Sequence, residues 1–459
     1  MRLKTDAHKI KNVAVKMKGG TVIEFALKVD ETVYRAHEIA SRSEEMVRLK
    51  ECRLSEGGRV AAMLRHPADV LAAIQYTRAS GASLLLLHGD TPLAAAIASA
   101  ASAGCSALVH GSPLQALRLK GVSLAAPSPP SLCQYSSGTT GKPKLIVRPW
   151  TEIEQEMDSY NQRLDPSGSD TPLIAVPVTH SFGLIAGMLA GLARGTVPRV
   201  ITDKNPKYAM KLIRESADSI VYAVPFLYQL FGALGKGDLR YRKLVSSGAP
   251  LTEALLAQLV EAADEVWQQY GCSEIGCIAL GSQPTFPDDV GAPLPHLTVT
   301  LESLRSEAAD DEGEGYAVDR TDLSVREIFV SDRAKSQSIR TGDIGMRTEG
   351  GRLRIQGRLD DLINVSGQKV MPSEVERVLA GLPGIKEVVV YGTRHPVWGE
   401  AVKAMIVADR SLREDELRTL CGKELPGYKV PAFIETVDEI PRPASGKTSR
   451  RYIREREGG

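Results

Sequence analysis

Twice in succession between residues 70 and 111, an apolar helical run breaks at a glycine and passes into a short apolar strand. VLAAIQYTRASGASLLLLHG (70–89) is followed closely by AAAIASAASAGCSALVHG (94–111). Helix and buried strand in alternation predict a mostly parallel sheet covered by helices, an α/β chain. The alternation resumes between 170 and 300. LIAVPV, RVI, SIVYAV and KLVSSG read as short β-like runs, and EALLAQLVEAA reads as a helix with Leu255, Leu256 and Leu259 on one face. The stretch 112–132, SPLQALRLKGVSLAAPSPPSL, reads as a connector, because its proline cluster cannot continue a helix. The acidic, glycine-containing segment 303–322 reads as an exposed hairpin or loop.

The last hundred residues have a different texture. Ser373 and Glu376 have the spacing of a capping box, and Val375, Val378, Leu379 and Leu382 follow at core spacing. IKEVVVYG and AVKAMIVA read as strands, Ser411 and Glu414 as the cap of a second helix, and VPAFIETV as a further strand. A chain of 459 residues exceeds what one hydrophobic core usually organises. The expected division is a large N-terminal domain over 1–356 and a small α+β domain over 357–459. The two are joined by a hinge near 358–361, in GRLDD, just after the strand-like RLRIQ.

Composition excludes several function classes. The 57 basic and 56 acidic residues nearly cancel, so nothing favours a nucleic-acid or anionic-membrane partner. Charges interrupt every apolar stretch of MRLKTDAHKIKNVAVKMKGG, which lacks a signal-peptide core. The longest apolar runs, such as LLLL at 84–87, are too short to span a bilayer. The six cysteines contain no CxxC pair, so reduced thiols in the cytoplasm are expected rather than a disulfide framework or a zinc site.

The densest chemical signal is YSSGTTGKPK (135–144), which follows a strand-like LCQ. Glycines let a backbone approach a phosphate closely, amides and hydroxyls donate to its oxygens, and lysines supply charge. A polar β-turn is the plain alternative. The spacing is not that of a Walker loop, and PASGKT (443–448) fails the same test because Pro441 stands where its first glycine should be.

This run resembles the phosphate loop of the adenylate-forming superfamily of acyl-CoA synthetases, carrier-protein-loading adenylation enzymes and luciferases. Further matches follow in the superfamily's order: VSSGAPLT (245–252), QYGCSEIG (269–276), TGDIG (341–345), GRLDDLINVSGQKV (357–370) and PRPASGKTSRR (441–451). The resemblance runs from about residue 130 to the end. The first 130 residues match loosely and are shorter than in typical relatives.

The resemblance implies a role for each matching residue. Ser136, Ser137, Gly138, Thr140, Gly141, Lys142 and Lys144 would hold the nucleotide, with Thr139 among the catalytic groups. Gly248 and Ala249 would flank adenine and Tyr270 would stack on it, a use that suits a flat ring. Gly271 and Ser273 would line the same nucleotide site. Glu274 would be the magnesium ligand, since a hard cation bridging phosphates takes carboxylate oxygen. Asp343 would accept both ribose hydroxyls, with Arg358 as a second ribose or phosphate contact and Lys369 as a cation near phosphate.

Lys447 would bridge the attacking carboxylate and the α-phosphate, where two anions meet and charge must be neutralised. Asp360 would be the pivot of a rotating small domain. Ser366 and Gly367 would form the turn beside which a pantetheine thiol enters.

TPLIAVPVTHSFGL (171–184) resembles the start of the acyl pocket, giving His180, Phe182, Gly183 and, further on, Cys272. Amino-acid-activating relatives carry an aspartate after the aromatic to hold the α-ammonium; Gly183 stands there, which argues for a fatty or aryl acid. His180 lines or gates the pocket, or is a core histidine. Two departures concern the ribose side: SIRTGD lacks the usual aromatic, and REIFVSD replaces the usual Gly-Glu strand.

The implied reaction uses ATP and Mg²⁺ to make an acyl adenylate, releasing pyrophosphate, and then passes the acyl group to a thiol. CoA is the favoured acceptor from GRLDDLINVSGQKVMPSEVE and HPVWGEAVKA. The phosphopantetheine of an acyl or aryl carrier protein is the alternative. A non-catalytic nucleotide binder is a reading of a different class, and Glu274, Asp343 and Lys447 weigh against it.

Overall fold

The computed structural model describes residues 26–52, 56–121, 123–126, 128–136, 144–164, 170–303, 326–332, 338–409, 413–442 and 450–457. Two compact units divide the chain, Met1–Thr298 with Asp332–Ala334, and Val299–Ser331 with Lys335–Gly459. The hinge expected from the sequence lies inside the second unit.

In the first unit, the two helix–glycine–strand repeats fold as read. Helix Pro67–Ala79 leads to strand Ser83–His88, and helix Leu93–Ser102 leads to strand Ala107–His110. Four strands run parallel: Ala107–His110, Arg59–Leu64, Ser83–His88 and Ser131–Ser136. Antiparallel strands close both edges. Lys144–Pro149 pairs with Ser131–Ser136, and Gln115–Arg118 pairs with Ala107–His110. The second edge strand corrects the connector reading of 112–132. LQALR is too short for a periodic signal, and the prolines of that stretch fall beside it.

A second sheet orders its strands in this unit as Asp289–Pro293, Gly276–Ser282, Ala263–Cys272, Tyr241–Ser247, Ser219–Ala223, Thr171–Ile174, Arg199–Val200, Ala26–Val29 and Thr32–Arg35. The run from Ala263–Cys272 to Ala26–Val29 is parallel throughout. Helix Glu253–Ala262 starts where Thr252 accepts the Leu255 amide, and it buries Leu255, Leu256 and Leu259 in the core against Leu244, Val266 and Phe231. Among the described residues no helix is long and apolar enough to cross a membrane.

A buried charge cluster marks the amino ends of these parallel strands. Fully buried Asp170 is paired by Arg242 and, at 3.3 Å, by the Lys243 ammonium, which also meets Glu265 at 3.2 Å. Removing one partner of a buried pair leaves an uncompensated charge. Lys243→Met is therefore expected to destabilise the chain by about 3 kcal/mol in urea denaturation. Activity per folded molecule should be unchanged, because the cluster lies at the strand ends opposite those that carry the motif residues.

The second unit holds the antiparallel strands Arg326–Asp332, Ser338–Arg347 and Leu353–Arg358. Beyond them a small sheet orders Gln368–Val370, Ile363–Val365, Gly399–Ala408 and Ile385–His395, with Phe433–Thr436 parallel to Gly399–Ala408. Val375, Val378 and Leu379 of helix Pro372–Ala380 enter its core as their spacing predicts.

The capping-box reading is corrected. Proline at the first helical position starts the helix at Pro372, so Met371 is the cap residue. Ser373 instead donates to the Gln356 carbonyl at 2.5 Å, and Glu376 accepts the Val390 amide at 2.9 Å. The next helix, Glu414–Glu424, is preceded by Arg413 as its cap residue, and Ser411 lies outside the described residues.

Candidate active site

In α/β sheets, ligands bind outside the carboxyl ends of parallel strands. The motif residues of the first unit gather at those ends. Ser136 ends strand Ser131–Ser136, and Gly248 and Ala249 follow strand Tyr241–Ser247. Tyr270, Gly271 and Cys272 end strand Ala263–Cys272, and His180 follows the loop after Thr171–Ile174. Ser137, Gly138, Thr139, Thr140, Gly141 and Lys142 lie outside the described residues, as does Lys447. Their flanks are defined, since Ser136 pairs with Lys144 across the two strands that carry the loop.

The turn after strand Ala263–Cys272 carries Ser273 and Glu274, both half-buried, and the chain returns as strand Gly276–Ser282. The pairing register shifts between Tyr270 and Gly271. A bulge of this kind re-aims neighbouring side chains and is common beside active sites. Here the expected adenine stacker, Tyr270, flanks the shift, and the expected magnesium ligand, Glu274, follows four positions on.

Beneath this turn lies a charged pair that sequence reading missed. Arg148 and Glu156 are both buried, and the Arg148 guanidinium donates to Glu156 Oε2 at 2.5 Å. Glu156 Oε1 accepts the Cys277 amide at 2.7 Å. The Cys277 thiol is pushed well above its ordinary range, first by burial and then by the Glu156 charge. A signal for this pair was present, since an arginine stands inside the strand directly after the phosphate-type loop.

The acyl-side segment is fixed by another residue that sequence reading missed. The Gln134 amide donates to the Thr179 carbonyl at 2.7 Å and accepts from the Ser181 hydroxyl at 2.8 Å. The first sheet thereby holds the 179–181 loop. His180 is exposed, which removes the core-histidine alternative, and its ring lies 6.3 Å from that of His88. Phe182 opens a wide, π-type helix, Phe182–Leu189, and its ring packs 5.8 Å from that of buried Tyr222. Such helices recur at functional sites. Gly183 is buried, and a Cβ placed on it would lie 2.6 Å from the Pro177 carbonyl oxygen. This backbone has no room for any side chain at 183.

In the second unit, Asp343 and Arg358 face one another across paired strands, with 3.4 Å between carboxylate and guanidinium. Asp343 is largely buried. Its turn is braced from below, where buried Glu327 accepts the Gly342 amide at 3.2 Å and the Arg340 guanidinium at 2.7 and 2.8 Å. The unusual arginine before TGD thus serves as the partner of the glutamate in REIFVSD.

Asp360 sits in the tight turn Leu359–Asp361, which is closed by the Leu362 amide on the Leu359 carbonyl. Ser366 and Gly367, with φ of 50° and 88°, form the two-residue turn of hairpin Ile363–Val365/Gln368–Val370, which carries exposed Lys369. Just past the Lys447 segment, Arg450 opens helix Arg450–Arg456. It binds the Val390 carbonyl at 2.8 Å, Glu376 at 2.7 Å and Asp361 at 3.0 Å. Arg450 thereby ties the start of this helix to the Leu359–Asp361 turn.

Comparison with known proteins identifies the family and the fold. Residues 49–317 match the family model described as AMP-binding enzyme, and 374–447 match its C-terminal domain. The 3,4-dihydroxybenzoate–[aryl-carrier protein] ligase of Bacillus anthracis is 40% identical over 410 residues, covering 89% of this chain and 93% of its own length. The 2-succinylbenzoate–CoA ligase of Geobacillus kaustophilus is 32% identical over 70% of this chain and 68% of its own. The ATP-bound structure of MatB from Rhodopseudomonas palustris superposes with a TM-score of 0.78 over 98% of both chains at 22% identity. The fold is thus shared well beyond recognisable sequence similarity.

Proposed function

The chain belongs to the AMP-binding enzyme family and is an acid–thiol ligase, and from that premise we propose that it activates an aryl carboxylic acid and loads it onto the phosphopantetheine thiol of a carrier protein. The observation that carries this reading is the 40% identity, over nearly the whole of both chains, to a ligase named for an aryl acid and an aryl carrier protein. Half-buried Phe182, backed by the buried ring of Tyr222 5.8 Å away, would offer an aromatic face to a flat substrate. This reading takes the carrier protein over CoA as the first acceptor. The relatives named as CoA ligases keep CoA as the second.

In the first step, a carboxylate oxygen attacks the α-phosphorus of ATP and pyrophosphate leaves. In the second, the thiol sulfur attacks the acyl carbonyl carbon, loses its proton, and AMP leaves. Carboxylate and triphosphate repel one another, and Lys447 would neutralise charge where they meet. Tyr270 would stack on adenine, and Asp343 would hold the ribose.

Among the described residues no three His, Cys, Asp or Glu side chains converge as a metal cage. One half-buried carboxylate, Glu274, suits magnesium, which is commonly held by one or two carboxylates together with substrate phosphates and water. When bound, the ion would balance phosphate charge.

The test is a panel. With hydroxylated benzoic acids, acid-dependent exchange of pyrophosphate into ATP is expected, and acyl transfer to a holo aryl carrier protein should be faster than to CoA. Equal or better transfer to CoA would favour the second reading. α-Amino acids should give no exchange, because no ammonium-holding side chain fits at 183. Robust exchange with any proteinogenic amino acid would remove the pocket assignment.

A further inference from the structure

We propose that Arg148 and Glu156 act as a positioning pair for the metal–nucleotide side of the site, holding the strand end at the register shift, which carries Tyr270, and the turn after it, which carries Glu274. The inference rests on the function proposed above and extends it to two residues that touch no substrate in that reading.

The geometry is specific. Arg148 lies in strand Lys144–Pro149, which begins where the phosphate-type loop ends. Glu156 lies one helix further on, in Trp150–Leu164. Its two carboxylate oxygens face different partners. Oε2 takes the Arg148 guanidinium, and Oε1 takes the amide of Cys277 in the other sheet. Cys277 pairs with Gly271 at the register shift, and Gly276 pairs with Cys272. One carboxylate therefore links the strand that ends the phosphate-type loop to the turn that presents Glu274.

The backbone is shaped to admit that carboxylate. Gly276 has φ +91°, and a Cβ there would lie 2.3 and 2.5 Å from the Glu156 oxygens and 2.6 Å from an Arg148 nitrogen. Any larger residue would push the pair out of place.

A buried ion pair is weak evidence for net stability, because desolvating the two charges offsets most of their attraction. Hydrophobic side chains of similar volume would replace the ion pair itself at little cost. What they could not do is accept the Cys277 amide while being held fixed by a second charge. A ligand set that is about 1 Å loose can cost roughly a hundredfold in rate. The pair accordingly fixes the distance between two parts of one nucleotide site.

The test uses Glu156→Gln, which is nearly isosteric and keeps an acceptor for the Cys277 amide, and Arg148→Lys, which keeps the charge. Thermal melting first shows that each variant folds. MgATP binding by calorimetry and the kinetics of pyrophosphate exchange then follow.

The expected result for Glu156→Gln is about a tenfold rise in Kd and KM for MgATP and in the Mg²⁺ needed for half activity. KM for the acid and the rate of thioester formation from supplied acyl adenylate should move less than about twofold, within the spread of a remote substitution. Arg148→Lys should shift the same parameters in the same direction by less.

Folded variants with unchanged MgATP parameters would overturn the inference while leaving the proposed function standing. A parallel shift of acid, nucleotide and thiol parameters with falling Tm would overturn it in favour of a merely structural pair. A wild-type chain that binds no MgATP would remove the functional reading and this inference with it.

Discussion

Lys447→Ala should lower acyl-adenylate formation by about two to three orders of magnitude, the range seen when a preorganised charge-stabilising group is lost. An ammonium roughly 4 Å from a unit negative charge, at an effective dielectric near 20, contributes about 4 kcal/mol. That corresponds to roughly a thousandfold in rate. Folding should survive, because the helix that follows is held by Arg450 through Glu376, Asp361 and the Val390 carbonyl. Supplied with preformed acyl adenylate, the same variant should make thioester at near the normal rate. Assaying both half-reactions on one preparation checks this. Equal loss of both would mean that Lys447 is not specific to the first step.

Asp360→Pro is expected to separate the half-reactions by a different route. Asp360 is the second residue of the turn closed by the Leu362 amide on the Leu359 carbonyl, a position that proline favours. The substitution should therefore fit the turn and fix its φ near −65°. A pivot that must change its dihedral angles would then be trapped. Adenylation should persist while thioester formation falls by at least about a hundredfold, the cost of a misplaced reacting group. The check is single-turnover measurement of each step, with a melting curve to show an intact fold. Equal loss of both steps would place the pivot elsewhere.

Much of the fold could be read from residues whose pattern serves one purpose. LLLL at 84–87 is fully apolar because its strand is sandwiched, and Leu255, Leu256 and Leu259 repeat at helical spacing because one face meets the core. Short edge strands were harder to read. Gln115–Arg118 is mostly exposed and pairs on one side only, so neither alternation nor burial marks it.

The capping box at Ser373 misled because two local signals competed. Pro372 at the first helical position took the start, and the Ser373 and Glu376 side chains made long-range bonds instead. Motif residues at strand ends could be read because their chemistry is local and dense. Gln134 could not, because its partners Thr179 and Ser181 are distant in sequence, and Glu156 could not, because its second partner, the Cys277 amide, is too; Arg148 left only the signal of an arginine inside a strand. Gly183 shows the reverse. Its identity pointed to the substrate class, and the structure adds a steric reason, since the Pro177 carbonyl occupies the space of a side chain.

The central claim, that a carboxylic acid is activated by adenylation before any thiol takes part, has a direct measurement. Purified protein is incubated with ATP, Mg²⁺, labelled pyrophosphate and a hydroxylated benzoic acid, with no thiol present. Label should enter ATP only when the acid is included, and AMP should be the nucleotide product once thiol is added. Formation of ADP and orthophosphate, or exchange that requires the thiol, would contradict adenylation as the first step.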